Sequence, residues 1–279
     1  FSTVKSISFS KTEPKPARFD NQEGDEVFKC SDFLMTDESA LICMLQSNLY
    51  EEIEPAKKKG QTIMSGIQSS ISAIAVHPRT SILAIAGSEG FILLWDYVKK
   101  GDPIRNYELY KKEEPSQKNQ EAKVFTNIVF NDDGSEILVA QHNGEIKIMD
   151  AQTGAFKKLT SPLKTSDRTD RRGYPITQLR ITNDGKFFAC CDTNKAISLF
   201  KKDFLHSDPT KPVEWFFSGK IISHEIEVTD IAFGDGLDEQ GNSRHRLFSI
   251  GKDRRLFEYD VYQSHAHERV QVVGWFSIE

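Results

Sequence analysis

Residues 247–260 read LFSIGKDRRLFEYD, from Leu247 to Asp260. Two short runs rich in apolar residues, Leu247–Ile250 and Arg255–Tyr259, flank a tight polar turn at Gly251–Arg254. Runs of this length and composition around a Gly- and Asp-containing turn read as two strands of a hairpin. The second ends on an aromatic residue followed by Asp. Upstream, Val228-Thr229-Asp230-Ile231 opens another strand with a hydroxyl residue near its start. Between the two lies Gly234–Arg246, which reads as a longer loop, a long polar hairpin insertion and a candidate projection for contacts. Downstream, Val270–Ile278 supplies a fourth apolar stretch.

The same order recurs along the chain. The opening pattern appears at Cys30-Ser31-Asp32-Phe33, Ile71-Ser72-Ala73-Ile74, Phe125-Thr126-Asn127-Ile128 and Ile176-Thr177-Gln178-Leu179. Turn signals follow, such as Asn131–Gly134 and Asn183–Lys186, then second strands at Leu41–Leu45, Ile82–Ala86, Glu136–Ala140 and Phe187–Cys191. The third strands close on Trp95-Asp96, Met149-Asp150 and Phe200, matching Tyr259-Asp260, with a weaker Leu49-Tyr50 in the first copy. Fourth strands are expected at Gln61–Met64, Arg105–Tyr110, Ala155–Thr160 and Val213–Gly219. Four short strands per unit of about 40–55 residues, with Trp-Asp closing the third, is the pattern of a β-propeller blade. The fold class is therefore all-β, a β-propeller of four-stranded blades. Blades are expected near residues 26–68, 69–115, 123–163, 174–222 and 223–279, after a strand remnant (Thr3–Phe9) and linker of a preceding blade in residues 1–25. A ring of seven such units needs about 350 residues, so the expectation is an incomplete propeller of about five blades, an excerpt of a longer chain.

The Trp95-Asp96, Met149-Asp150 and Tyr259-Asp260 closures resemble those of WD-repeat proteins. The Leu247–Asp260 stretch, and the blade running from Ala84-Ile85-Ala86-Gly87 to Ile92-Leu93-Leu94-Trp95-Asp96-Tyr97, are similar to a narrower group. These are the cilia- and flagella-associated WD-repeat subunits of the calmodulin- and spoke-associated complex. The resemblance implies a structural relay in the last blade, Asp253 to His224, His224 to Ser249 and Ser249 to Tyr259, which satisfies buried polar groups. Met149 and Phe200 depart from the pattern by lacking a polar tip, so those blades are expected to rely on packing. The resemblance also implies a non-enzymatic scaffold in the axoneme of cilia and flagella, linking radial spokes to doublet microtubules and helping to regulate motility. Its partners would be spoke and calmodulin-associated subunits, with tubulin a further candidate. The complete chains of that group carry more repeats and a calcium-sensor-like helical tail. No Asp-x-Asp-x-Asp-Gly loop occurs here, so a calcium role would lie outside this sequence.

Composition narrows the alternatives. Lys and Arg number 36 against 41 Asp and Glu, a net charge of −5, whereas nucleic-acid binders show a basic excess. The apolar runs are far too short to span a bilayer. The 19 Phe, 7 Tyr and 3 Trp favour strands. The four cysteines, Cys30, Cys43, Cys190 and Cys191, lie in apolar stretches without Cys-x-x-Cys spacing, which predicts buried free thiols and no metal site. His265 and His267 lack nearby companion ligands, and His77 and His142 read as turn residues. Gly87-Ser88-Glu89-Gly90 joins two strands, whereas a phosphate cradle needs a following helix. No cofactor and no small-molecule substrate are expected. His224, Ser249 and Asp253 have the composition of a catalytic triad, a reading that needs an exposed serine. A second alternative is a peptide reader or adaptor of the ubiquitin-ligase or chromatin type outside the cilium. Candidate contact residues are the basic Lys157, Lys158, Lys164, Arg168, Arg171 and Arg172 of one inserted loop, and Lys252, Arg254 and Arg255 around a blade turn.

Overall fold

A computed structural model describes residues 4–9, 15–16, 29–30, 33–37, 42–45, 61–64, 70–108, 124–159, 163–165, 173–202, 214–237, 243–264 and 270–278. The regular elements among them are all strands, grouped in five four-stranded antiparallel sheets and one two-stranded ladder. The chain opens with β1 (Val4–Phe9), then β2 (Lys15–Pro16) paired with β3 (Lys29–Cys30). β4 (Phe33–Asp37), β5 (Ile42–Leu45) and β6 (Gln61–Met64) complete the first sheet in the order β1-β4-β5-β6. The second sheet holds β7 (Ile71–Val76), β8 (Ile82–Gly87), β9 (Phe91–Asp96) and β10 (Arg105–Glu108). The third holds β11 (Phe125–Phe130), β12 (Glu136–Gln141), β13 (Glu145–Asp150) and β14 (Leu163–Lys164). The fourth holds β15 (Ile176–Ile181), β16 (Phe187–Asp192), β17 (Ala196–Lys202) and β18 (Trp215–Ile222). The fifth holds β19 (Val228–Leu237), β20 (Ser243–Gly251), β21 (Arg255–Asp260) and β22 (Gln271–Ser277).

Contacts divide the chain into two compact units, residues 1–116 with 123–134, and residues 117–122 with 135–279. In the first unit, Leu34 and Ile42 of the first sheet share a core with Ile74, Leu83, Ile85 and Trp95 of the second. In the second unit, Phe187, Ala189 and Leu199 of sheet four meet Val228, Leu247, Phe257 and Tyr259 of sheet five. Each fully buried side chain of this kind stabilises by roughly 2 kcal/mol. β16 is buried along its whole length, which is why its sequence, Phe187-Phe188-Ala189-Cys190-Cys191, is a continuous apolar run instead of an alternation.

Four expectations are corrected. β1 hydrogen-bonds to β4, so Val4–Phe9 is joined to the first sheet and is not set apart from it. With β1 counted, β4 and β5 stand second and third in that sheet, where the sequence reading had the strand carrying Cys30–Phe33 as the first and Leu41–Leu45 as the second; Leu49-Tyr50 lies outside the described residues. In the third sheet the fourth strand is β14, not Ala155–Thr160, which contributes a single bridge between Phe156 and Met149. The Gly234–Arg246 insertion is not a loop at its base: β19 and β20 run on, pairing Gly234 with Arg246 and Leu237 with Ser243. They have 10 and 9 residues against 6 in β15 and β16. The hairpin therefore extends as a paired arm.

Candidate functional site

The last blade carries a buried chain of polar contacts. His224 lies just before β19, and its Nδ1 sits 3.0 Å from both carboxylate oxygens of Asp253 in the β20–β21 turn. Its Nε2 is 2.7 Å from Ser249 Oγ on β20, and that hydroxyl is 2.7 Å from the Tyr259 hydroxyl on β21. The Tyr259 hydroxyl then reaches Ser223 Oγ at 2.5 Å. A carboxylate only accepts, so Nδ1 donates to Asp253; in the neutral ring Nε2 then accepts from the Ser249 hydroxyl. Asp253 also accepts the backbone N–H groups of Glu225 and Arg255. Burial alone would raise the Asp253 carboxyl; the His224 hydrogen bond and these two backbone donors outweigh it and hold it below the ordinary range. Burial pushes the Tyr259 hydroxyl up, partly offset by its serine partners.

Packing fixes this geometry. The Phe257 ring lies edge-on to His224 at 4.7 Å. A Cβ on Gly251 would fall 2.5 Å from His224 Nδ1 and 2.7 Å from Asp253 Oδ1, so the carboxylate approaches the ring only because residue 251 has no side chain. Sequence reasoning missed Ser223 as a fifth member and Gly251 as a condition; a serine directly before the histidine was the available signal for the first.

Ser249 is 1% exposed and His224 2% exposed, and the serine hydroxyl is engaged by His224 and Tyr259. A nucleophile must face substrate, and Ser249 faces the interior. The constellation satisfies its own polar atoms in the blade interior.

The closing aspartates do a different job. Asp96 accepts from Ser81 Oγ and from the N–H groups of Val98 and Lys99. Asp150 accepts from the N–H groups of Gln152 and Thr153, and Asp260 from those of Tyr262 and Gln263. Each folds the chain back from the third strand in an Asx turn. Trp95 donates from Nε1 to Gly101 O at 2.7 Å. Met149 and Phe200 are fully buried, and Phe200 stacks on Phe188 at 4.4 Å.

The basic residues divide. Lys157 pairs with Glu136, Lys252 with Glu227 and Arg255 with Glu225, the Arg255 guanidinium also lying over Trp275. Lys158, Lys164 and Arg254 are exposed. Lys164 lies on β14 and not in a loop. Arg168, Arg171 and Arg172 lie outside the described residues, as do His265 and His267. His77 Nδ1 accepts the N–H groups of Arg79 and Thr80, within its turn. Cys190 and Cys191 are buried free thiols; burial raises both, Cys191 to about 11.

The family described as WD domain, G-beta repeat matches residues 58–96, ending on the Trp95-Asp96 closure. With the blade sheets and their Asp-capped third strands, this makes the chain a WD-repeat β-propeller. Over 248 residues it is 32% identical to "Cilia- and flagella-associated protein 251" of Tetrahymena thermophila, an alignment covering 88% of this chain and 24% of that protein. The Chlamydomonas reinhardtii protein of the same name is 24% identical over 274 residues, covering 98% and 30%. The chain thus spans 24% and 30% of the length of these two curated relatives. Among solved structures, the β-propeller domain of Cps50 (Swd1) from Myceliophteria thermophila aligns with a TM-score of 0.58 at 16% identity, over 98% of this chain and 72% of that one. That likeness shows the fold alone.

Proposed function

We propose that the chain is a non-enzymatic interaction scaffold of the ciliary or flagellar axoneme. Its blades hold rims and loops rigid for protein partners. The observation that carries the reading is the 32% identity to a cilia- and flagella-associated relative across 88% of the chain. The burial of Ser249 supports the non-enzymatic part. More finely, the scaffold links radial spokes to doublet microtubules and helps to regulate motility, with spoke and calmodulin-associated subunits, and tubulin, as partners. The docking candidates are the exposed cations Lys158, Lys164 and Arg254 with the basic segment through Arg168, Arg171 and Arg172.

The test is the place of the tagged full-length protein in ciliated cells after detergent extraction. Retention along axonemes, and recovery of spoke-base proteins by cross-linking, is the expected result. A cytoplasmic or nuclear signal without axonemal retention overturns the reading. Alanine at the exposed cations should weaken axonemal binding several-fold; unchanged binding removes that surface from the proposal.

A further inference from the structure

The arm formed by the outer halves of β19 and β20 is braced by one histidine. His245, on β20, has a carboxylate on each ring nitrogen. Nδ1 is 2.8 Å from Asp235 Oδ1 on the facing strand β19. Nε2 is 2.8 Å from Asp184 Oδ2, in the β15–β16 turn of the neighbouring sheet. The side chain is 11% exposed, and the Phe187 ring lies edge-on to it at 5.8 Å.

Among the described residues, the charged groups facing it have partners of their own. Asp184 also accepts from Thr182 Oγ1 and pairs with Lys186. Burial alone would raise its carboxyl; the hydrogen bonds from His245, Thr182 and Lys186 outweigh that and hold it well below the usual range. On the arm itself, Arg244 pairs with Asp260 and Arg246 with Glu258. The Tyr262 hydroxyl accepts the backbone N–H of His245, not a ring N–H. None of these supplies a proton between the ring and its two carboxylates.

A neutral imidazole has one N–H and one lone pair, while a carboxylate oxygen only accepts. With a single ring proton, one of the two contacts sets a lone pair against an oxygen at 2.8 Å. With two protons, both become charge-assisted hydrogen bonds. We infer that His245 is a proton-dependent clamp: doubly protonated, it ties the projecting arm to sheet four, and on losing a proton it keeps one tie and frees the other. The clamp's contribution is present while the ring holds both protons and is lost when one leaves. It fades again when the carboxylates themselves take up protons. The last described pair of the arm is Leu237 with Ser243, and the Leu237 side chain is 75% exposed, so the proton load sets how firmly this end of the ladder is held.

The experiment is amide hydrogen exchange of the full-length protein, read as protection factors for arm peptides at about pH 6 and about pH 8. In the wild type, arm protection should fall about tenfold between the two, while the core strand β16 holds. His245→Gln, which has no ring to protonate, should show low arm protection at both. Asp235→Asn, which leaves the cross-sheet tie to Asp184, should show a reduced pH dependence, and it keeps the test alive if the glutamine variant folds poorly. Equal arm protection at the two pH values in the wild type, or the same fall in His245→Gln, overturns the clamp.

Discussion

Sheets four and five solve one problem in two ways. The register aligns them: Phe188 pairs with Phe200 where Leu247 pairs with Tyr259, and Cys190 pairs with Ser198 where Ser249 pairs with Phe257. In sheet five the matched positions carry Ser249, Asp253 and Tyr259, joined through His224. In sheet four they carry Cys190, Asn194 and Phe200, and the interior is filled by aromatic rings, Phe200 stacked on Phe188 with Trp215 and Phe217 edge-on. Gly251 gives way to Asp192, whose Oδ1 accepts the N–H groups of Asn194 and Ala196. The turn is capped in both sheets, by Asp253 in one and Asp192 in the other, and the strand spacing is the same. A blade therefore needs a filled interior, which either a relay or an aromatic stack supplies; the relay satisfies its own polar atoms, whereas sheet four leaves Ser198 Oγ and Trp215 Nε1 buried without a hydrogen-bond partner.

The comparison breaks first at the rings. Phe200→Ala removes the centre of the stack and should cost about 4 kcal/mol, measured by denaturant unfolding. A loss below about 1.5 kcal/mol would mean that the stack does not hold sheet four. In sheet five, His224→Ala leaves Asp253 and the Ser249 hydroxyl short of partners, and should cost about 3 kcal/mol. If it costs no more than a surface change, the relay is ornament and the two sheets do not differ in kind.

Acid separates the two capping aspartates. Asp253 is held below the ordinary carboxyl range, so its contribution is present above that range and lost as pH falls through it. Asp192 is raised by burial, against its backbone donors, so its effect has the opposite sign: it weighs on stability as pH rises through its titration and is relieved in acid. Asp253→Asn should therefore cost about 2 kcal/mol at neutral pH and flatten the acid limb of stability. Asp192→Asn should stay within about 1 kcal/mol, since Oδ1 still caps the turn. Equal costs for the two would break the distinction.

Sequence legibility followed the same division. The repeat and the third-strand closures could be read directly, and the relay came through the resemblance to WD-repeat proteins, whose pattern His224, Ser249, Asp253 and Tyr259 match. Sheet four was read only as lacking a polar tip at Phe200. Stacking geometry depends on ring orientation across strands, which no local pattern encodes. The first sheet was misframed because β1 and β4 are separated by a long segment, and pairing across such a gap leaves no turn signature. The arm was read as a loop because Gly234, Asp235 and Gly236 carry turn composition, yet pairing with Arg244–Arg246 extends the strands. His245 had no local signal at all: one of its two partners, Asp184, lies on another sheet.

The finest test moves one solution toward the other. Phe200→Tyr places a hydroxyl beside the Cys190 thiol, a poor partner, and should cost about 1–3 kcal/mol for an unsatisfied buried group. Cys190→Ser alone does the same from the other strand. Made together, the two new hydroxyls stand where Ser249 and Tyr259 stand 2.7 Å apart in sheet five. The double variant should then cost less than the two single costs added, by about 1 kcal/mol of coupling in a double-mutant cycle. Additive costs would mean that the matched registers do not bring those side chains together, and that the relay depends on local features of sheet five, such as the gap at Gly251, beyond the shared blade geometry.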